Sequence, residues 1–268
     1  MREATIGQYY PVESVIHRLD PRVKLTGTLI YIISLFLFRS FSCYFVVVLF
    51  LFRVILLSKI PLRYILRGLR GIIFLLIFMS MFNLLFTPGT VTYWKAGPIQ
   101  ITDTGIRNAC FMALRLTLLI IGSSMMTYTT TPNQLTDGLE SLLKPLRKIG
   151  FPVHEVAMMM SIALRFIPIL MEETDKIMKA QMARGASFDE GNLIQKAKSL
   201  VPILVPLFVS AFRRADDLAM AMEARCYHGG ENRTKMKPLR YASRDAWAFV
   251  VLILYLAMVI VVGRLWYL

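Results

Sequence analysis

The chain has 268 residues, of which 56% are apolar and 18% are charged, and its net charge is +14. A soluble domain averages about 45–50% apolar residues, and here the excess lies in long blocks between charged stretches, which excludes an ordinary soluble fold. No basic soluble module is evident, so we assign the positive charge to positive-inside bias and to anionic headgroups and expect no nucleic-acid partner.

Four apolar blocks in the first half of the chain are predicted to span the membrane, since a spanning helix needs about 20 mostly apolar residues. They cover residues 25–38 (continuing back to Val23), 41–57, 71–86 and 106–128. Arg39 and Ser40 are expected to form a tight turn between the first two. Arg115 lies within the fourth block and is either a functional intramembrane charge or a side chain that snorkels to the interface.

A fifth span is predicted over residues 247–267, with Trp247, Trp266 and Tyr267 as an aromatic belt at its two ends. Loop charges set the predicted orientation. The basic residues near the first three spans are Arg2, Arg18, Arg22, Lys24, Lys59, Arg63, Arg67 and Arg70. The positive-inside rule places these segments in the cytoplasm, so five spans predict an inside N-terminus and an outside C-terminus.

Two further apolar runs, 156–171 and 200–212, are interpreted as helices on the cytoplasmic face and not as spans. Arg165 lies near the centre of the first run, where it costs roughly 2.5–3.5 kcal/mol on insertion scales. The second run is short. Both runs contain proline, at Pro168, Pro202 and Pro206. The lysine- and arginine-rich segment between the runs would lie outside if both spanned, which contradicts the positive-inside rule.

A shorter helix is predicted ahead of these runs, with Thr131 as N-cap, Pro132 at the first helical position and Gly150 with Pro152 at its end. Its leucines recur at helical spacing on one face. The chain is therefore predicted to be an all-α polytopic membrane protein with about five transmembrane helices and a cytoplasmic-face domain of long amphipathic helices. The predicted regions are 1–130 (four spans), 131–243 (cytoplasmic helices) and 244–268 (last span).

Two predicted helix ends in the cytoplasmic region share the pattern Ala-x-x-Ala-Arg followed by a small residue. The residues concerned are Ala183, Arg184, Gly185, Ala224, Arg225 and Cys226. One such site is an ordinary helix C-terminus, but two copies favour a shared role. Small neighbours would let each helix tip approach a partner, and each guanidinium could then bind partner carboxylates as a fork.

These residues give the chain a resemblance to a known family. It resembles the transmembrane coupling (T) component of energy-coupling-factor transporters, the CbiQ-like family. Three stretches carry the resemblance: 19–25 (Leu-Asp-Pro-Arg-Val-Lys-Leu), 182–186 (Met-Ala-Arg-Gly-Ala) and 223–230 (Glu-Ala-Arg-Cys-Tyr-His-Gly-Gly). The second copy of the motif has Cys226 where the first has Gly185, so a changed cap geometry is one possible outcome there.

The resemblance implies a multi-subunit importer in a bacterial cell membrane. Helices ending at Arg184 and Arg225 would dock into two cytoplasmic ATP-binding-cassette ATPase subunits. The apolar faces between Leu135 and Phe212 would hold a small substrate-binding (S) subunit for a vitamin or a metal ion. The chain itself would be a non-catalytic subunit without a cofactor, because ATP would be bound by the partners.

Two other functions remain as alternatives. A stand-alone secondary transporter often shows inverted repeats and midplane charges, and neither is evident in the sequence. A membrane enzyme acting on lipids would need clustered histidines or carboxylates, and the sequence shows no phosphate-loop, zinc or nucleophile-elbow motif. Gene neighbourhood separates these alternatives, since adjacent ATP-binding-cassette genes would favour the coupling subunit.

Overall fold

The computed structural model describes residues 9–37, 41–89, 91–96, 99–186, 188, 192–229, 236 and 238–265. The predicted turn at Arg39 and Ser40, the cation Arg2 and the belt residues Trp266 and Tyr267 lie outside these residues. Over the described residues the chain is an all-α protein apart from one hairpin, which confirms the predicted fold class.

The elements are given in the order in which they follow one another along the chain. The helices are α1 (Pro21–Leu37), α2 (Phe41–Ser58), α3 (Leu62–Arg70), α4 (Ile73–Phe86), α5 (Asp103–Thr129), α6 (Pro132–Leu143), α7 (Val153–Ala183), α8 (Leu193–Glu223) and α9 (Ser243–Leu265). A 3₁₀ helix, Lys144–Ile149, follows α6. The antiparallel strands β1 (Thr92–Ala96) and β2 (Ile99–Thr102) form a hairpin between α4 and α5.

Five of the described helices, α2, α5, α7, α8 and α9, are long and apolar enough to cross a membrane. A sixth span arises if α3 and α4, which meet at a bend of 63°, are taken together. Five spans were also predicted, but the predicted set contained α1 and α4 where this set contains α7 and α8. The predicted first span, α1, has 17 residues, which is at the lower limit of spanning length. Because α7 and α8 satisfy the same length and composition requirements, their predicted place on the cytoplasmic face stays a prediction.

The chain divides into two compact units, Met1–Leu142 with Leu239–Leu268, and Leu143–Pro238. The core of the first unit lies where α1, α2, α5 and α9 meet. The Tyr31 hydroxyl donates to the Leu118 carbonyl at 2.9 Å, and the Ser34 hydroxyl lies 2.6 Å from that of Tyr255. Burying these polar groups is favourable only because each has a partner. They therefore fix which helix faces meet in the core of the first unit.

Helix α3 was missed by the sequence analysis, which treated its arginines as loop charges. The helix packs its inner face on the first unit through Ile65 and Leu69, which are 3% and 8% exposed. Tyr64 also stacks edge-on against Tyr128 at 5.1 Å between ring centroids. The outer face carries the arginines.

The second unit consists of the 3₁₀ helix, α7 and α8. Helices α7 and α8 have 31 residues each, so each is about 46 Å long. Each apolar run is thus continuous with the charged segment and motif that follow it, and the helices include Pro168 in α7 and Pro202 with Pro206 in α8. Each helix therefore links an apolar stretch mechanically to the arginine at its tip.

Candidate functional site

The first arginine motif forms the C-terminal cap of α7. Gly185 adopts the left-handed conformation, with φ of +88°. The Gly185 N–H donates to the Met182 carbonyl at 2.9 Å, and the Ala186 N–H donates to the Gln181 carbonyl at 3.0 Å. This pair of bonds is the Schellman motif, which satisfies carbonyls that a helix end otherwise leaves without donors. The cap holds Arg184 at the last turn of the helix.

The second arginine motif forms the same cap at the end of α8. The Cys226 N–H donates to the Glu223 carbonyl at 2.8 Å, and the Tyr227 N–H donates to the Met222 carbonyl at 3.0 Å. Cys226 takes the place of Gly185 and adopts a φ of +56°, although a side chain makes this conformation unfavourable. The replacement of glycine by cysteine therefore leaves the cap geometry unchanged, and Arg225 occupies the position that Arg184 holds in α7.

Helices α7 and α8 run antiparallel where they cross. Glu173 of α7 accepts from the Arg214 guanidinium of α8 at 2.6 Å. The Gln181 side chain, further along α7, donates to the carbonyl of Pro202, which comes earlier in α8. Contacts that advance along one helix thus move backward along the other. The two helix tips consequently lie at opposite ends of the pair.

The distance between the tips follows from helix geometry. Arg184 lies 11 positions after Glu173, and Arg225 lies 11 positions after Arg214. At about 1.5 Å per residue each tip is about 16 Å from the ion pair, in opposite directions, so the tips are about 30 Å apart. The equal offsets arise because the ion-paired residues are themselves 41 positions apart, as are the two arginines. The ion pair is therefore central between two equivalent tips.

All six residues of the motifs are exposed, so both tips are accessible to a partner. The structure thus brings each predicted trio together at one helix end but places the two trios far apart. Neither tip forms a pocket with the other, and a small-molecule site shared between them is not supported. The arrangement suits two separate contacts with two similar partner surfaces.

The helices between the tips expose large apolar side chains. Of the described residues in the second unit, only Val153, Ala157 and Ile203 are buried. By contrast, Phe212 is 69% exposed and Phe208 is 61% exposed. Four of the methionines in α7 are also exposed, namely Met159, Met160, Met171 and Met182. Large apolar side chains exposed in this number along two helices favour a protein or membrane contact.

The stretch 19–25 forms a junction in the first unit. The Asp20 carboxylate accepts from the Arg22 N–H at 2.9 Å and so caps α1, while the Asp20 N–H donates to Asp245 of α9 at 2.9 Å. The Lys24 ammonium donates to the Thr129 carbonyl at 2.8 Å, at the end of α5. These bonds tie α1 to α5 and α9, which gives Asp20 and Lys24 a structural role.

Arg115 has a partner inside the helix bundle. Its Nε donates to the Tyr44 hydroxyl at 2.9 Å, and its guanidinium carbon lies 5.4 Å from the centre of the Phe36 ring. The charge is thus shared between a hydrogen bond and a cation–π contact, which lowers the cost of placing it in a span. This arrangement favours a structural role over a functional one.

The family of this chain follows from its similarity to known proteins. Residues 12–236 match the CbiQ family, described as "Cobalt transport protein". The chain belongs to the CbiQ family. Its relatives include energy-coupling factor transporter transmembrane proteins from three bacteria. The Thermosediminibacter oceani protein is 58% identical over 250 residues, covering 93% of this chain and 94% of that protein.

Two other relatives match over nearly their whole length. The Clostridium kluyveri protein is 54% identical over 270 residues, covering all of this chain and 99% of its own. The Bacillus subtilis protein is 45% identical over 258 residues, covering 96% and 97% respectively. The resemblance inferred from the three sequence stretches is therefore confirmed. This member of the CbiQ family is a multi-pass transmembrane component of an energy-coupling-factor transporter.

Proposed function

We propose that the chain couples two ATP-binding-cassette ATPase subunits to a small substrate-binding membrane subunit during vitamin or metal-ion uptake. The observation that carries this proposal is the pair of identically capped, exposed arginine tips at opposite ends of α7 and α8. An ATPase dimer presents two equivalent surfaces, and two equivalent tips about 30 Å apart suit two such surfaces. In this arrangement the N-terminus would lie on the cytoplasmic side of the membrane and the C-terminus on the outer side.

The ATP that drives uptake would bind to the ATPase subunits, and this chain would need no cofactor of its own. Arg184 and Arg225 would bind carboxylates on the ATPase subunits, since a guanidinium matches a carboxylate as a rigid fork. Ala183, Gly185, Ala224 and Cys226 would allow the close approach that such a fork needs. These six residues would together form the contacts with the ATPase subunits.

Motion at the tips would reach the membrane subunit through the length of α7 and α8. Each helix is continuous from its apolar half to its tip, and the Glu173–Arg214 ion pair ties the two helices together between the tips. The exposed apolar faces around Phe208 and Phe212 would hold the substrate-binding subunit. A surface rich in methionine can repack against more than one shape of partner.

Site-specific photo-cross-linking tests both contacts. A photoreactive phenylalanine analogue is placed at Ala183, Ala224 or Phe208 of the full chain, expressed with the ATPase subunits and a substrate-binding subunit. We expect the first two positions to cross-link to ATPase subunits and Phe208 to cross-link to the membrane subunit. Ile149, which is 86% exposed in the 3₁₀ helix, serves as the matched exposed control. Cross-linking of Ala183 and Ala224 to no ATPase subunit would refute the proposal.

A further inference from the structure

We propose that α3 is an interfacial helix whose arginines bind the headgroups of anionic phospholipids. This inference is independent of the proposed coupling function, because it concerns the first unit and the lipid around it. Helix α3 carries Arg63, Arg67 and Arg70 within nine residues, and Lys59 precedes it. The sequence contains no Asp or Glu between Asp20 and Asp103.

The cations of α3 thus lack a carboxylate on their own helix and on both neighbouring helices. Phosphate is the other anion to which a guanidinium binds as a fork. A stretch of basic residues beside a membrane span is also the pattern typical of binding to anionic lipid.

The three arginines occupy the face of α3 that points away from the protein core. At about 100° per residue, Ile65 and Leu69 lie on the face that packs on the first unit. The arginines project on the opposite side, where all three are exposed. Since the inner face is fixed by buried contacts, the direction of the basic face is fixed as well.

An apolar stripe separates the basic face from the core. Leu62 and Leu66 are 56% and 60% exposed, so the fold alone leaves more than half of each apolar side chain uncovered. Leucines beside arginines on one helix are typical of a helix that lies in the membrane interface, with its apolar stripe among acyl chains and its cations among headgroups. A contact with water or with an acidic protein surface would not account for the leucines.

The continuity of α3 with α4 supports the same position. Helix α4 is apolar throughout and contains no buried residue, and Phe74 at its start is 81% exposed. Such a helix is suited to lipid contact. The two helices meet at a bend of 63°, so with α4 as a membrane span α3 would lie closer to the membrane plane than to the span axis. The break occurs at Gly71 and Ile72, directly after Arg70.

Native mass spectrometry of the full chain in neutral detergent tests the proposal. The probes are dioleoylphosphatidylglycerol as anionic lipid, dioleoylphosphatidylcholine as neutral lipid and inorganic phosphate as a soluble competitor. We expect phosphatidylglycerol to bind more tightly than phosphatidylcholine, and Arg63→Gln with Arg67→Gln and Arg70→Gln to remove that preference. Each surface cation contributes about fivefold to binding of anionic lipid, so the triple variant should bind phosphatidylglycerol about 100-fold more weakly.

Two further variants separate the site from general charge. Lys144→Gln with Arg147→Gln and Lys148→Gln removes the same charge from the exposed 3₁₀ helix and should leave the lipid preference unchanged. Replacing the three arginines of α3 by lysine keeps the charge and should retain most of the binding. Equal unfolding temperatures of all variants in detergent would show that a loss of lipid binding does not come from general destabilisation.

Several results would overturn the proposal. One is equal binding of the two lipids by the wild type, and another is an equal loss of binding in the 3₁₀-helix control. Full competition by inorganic phosphate at the lipid concentration would assign the arginines to a soluble anion. Loss of assembly with partner subunits in the triple variant, with lipid binding unchanged, would instead assign the basic face to a protein partner.

Discussion

Exchanging the residues at the left-handed positions of α7 and α8 tests whether their two caps are equivalent. Cys226→Gly removes a side chain from a residue with φ of +56°, and Gly185→Cys adds one to a residue with φ of +88°. The left-handed conformation costs a residue with a side chain about 1–2 kcal/mol. Glycine loses more backbone entropy on ordering, by about 0.5–1 kcal/mol. The net effect at each cap is therefore about 0.8 kcal/mol.

Hydrogen exchange of the cap amides measures this difference locally. The reporters are the N–H of Tyr227, bonded to the Met222 carbonyl, and the N–H of Ala186, bonded to the Gln181 carbonyl. A difference of about 0.8 kcal/mol changes an opening equilibrium about fourfold. We expect Cys226→Gly to slow exchange at Tyr227 about fourfold, and Gly185→Cys to accelerate exchange at Ala186 by a similar factor.

A control separates backbone strain from loss of the thiol. Cys226→Ala removes the sulfur but keeps the side-chain carbon that makes the left-handed conformation unfavourable, so exchange at Tyr227 should stay near the wild-type rate. If Cys226→Ala slowed exchange as much as Cys226→Gly, the effect would belong to the thiol. If neither Cys226→Gly nor Gly185→Cys changed the hydrogen-exchange rate at its own cap, the two helix ends would not share the geometry described above.

Three further predictions concern the ion pair, one close helix contact and one histidine. Removing Glu173 and Arg214 singly and together, by Glu173→Gln and Arg214→Gln, should give a coupling energy of about 1 kcal/mol in thermal unfolding, because the pair is partly exposed. Gly122→Ala should destabilise the chain by about 1–3 kcal/mol, since an added carbon would lie 2.1 Å from the Tyr31 ring. Burial lowers the pKa of His17 below its ordinary 6.5. The unfolded chain then binds more protons than the folded chain, so stability should be full above pH 6.5 and decrease as the pH falls below it, as measured by unfolding temperature.

Each of these predictions has a control or a result that would contradict it. Gly71→Ala should be nearly neutral, because nothing lies within 4 Å of the added carbon. His17→Gln should remove part of the loss of stability at low pH, and an unchanged pH profile would show that His17 is not its source. A coupling energy of zero between the Glu173 and Arg214 variants would mean that the ion pair does not join α7 to α8.

The sequence was sufficient to predict much of the membrane part, because apolar blocks of spanning length have few other folds. The cap at Thr131 was also predictable, and the structure confirms it as a capping box with Gln134. Helix α3 was not predicted, since its arginines interrupt the apolar pattern and read as loop charges. The hairpin between α4 and α5 was missed for a similar reason, because its strands are too short to show a period.

The arginine motifs show what pattern alone can and cannot reveal. Two similar helix ends were recognisable in the sequence, and the structure places both at C-terminal caps. The antiparallel crossing that sets the tips at opposite ends depends on the Glu173–Arg214 pair, and nothing in the sequence identified those two residues as partners. Their shared separation of 41 positions, equal to that of the motifs, is the signal that could have found them.

Co-purification and uptake with charge-reversed tips test the central claim most directly. The full chain is expressed with the ATPase and substrate-binding subunits, as wild type and as Arg184→Glu with Arg225→Glu. Arg147→Glu with Lys148→Glu, in the exposed 3₁₀ helix, is the control with the same charge change. We predict a stable complex and ATP-driven uptake for the wild type and the control, and loss of both in the tip variant. Intact assembly and ATP-driven uptake in the tip variant would contradict the account.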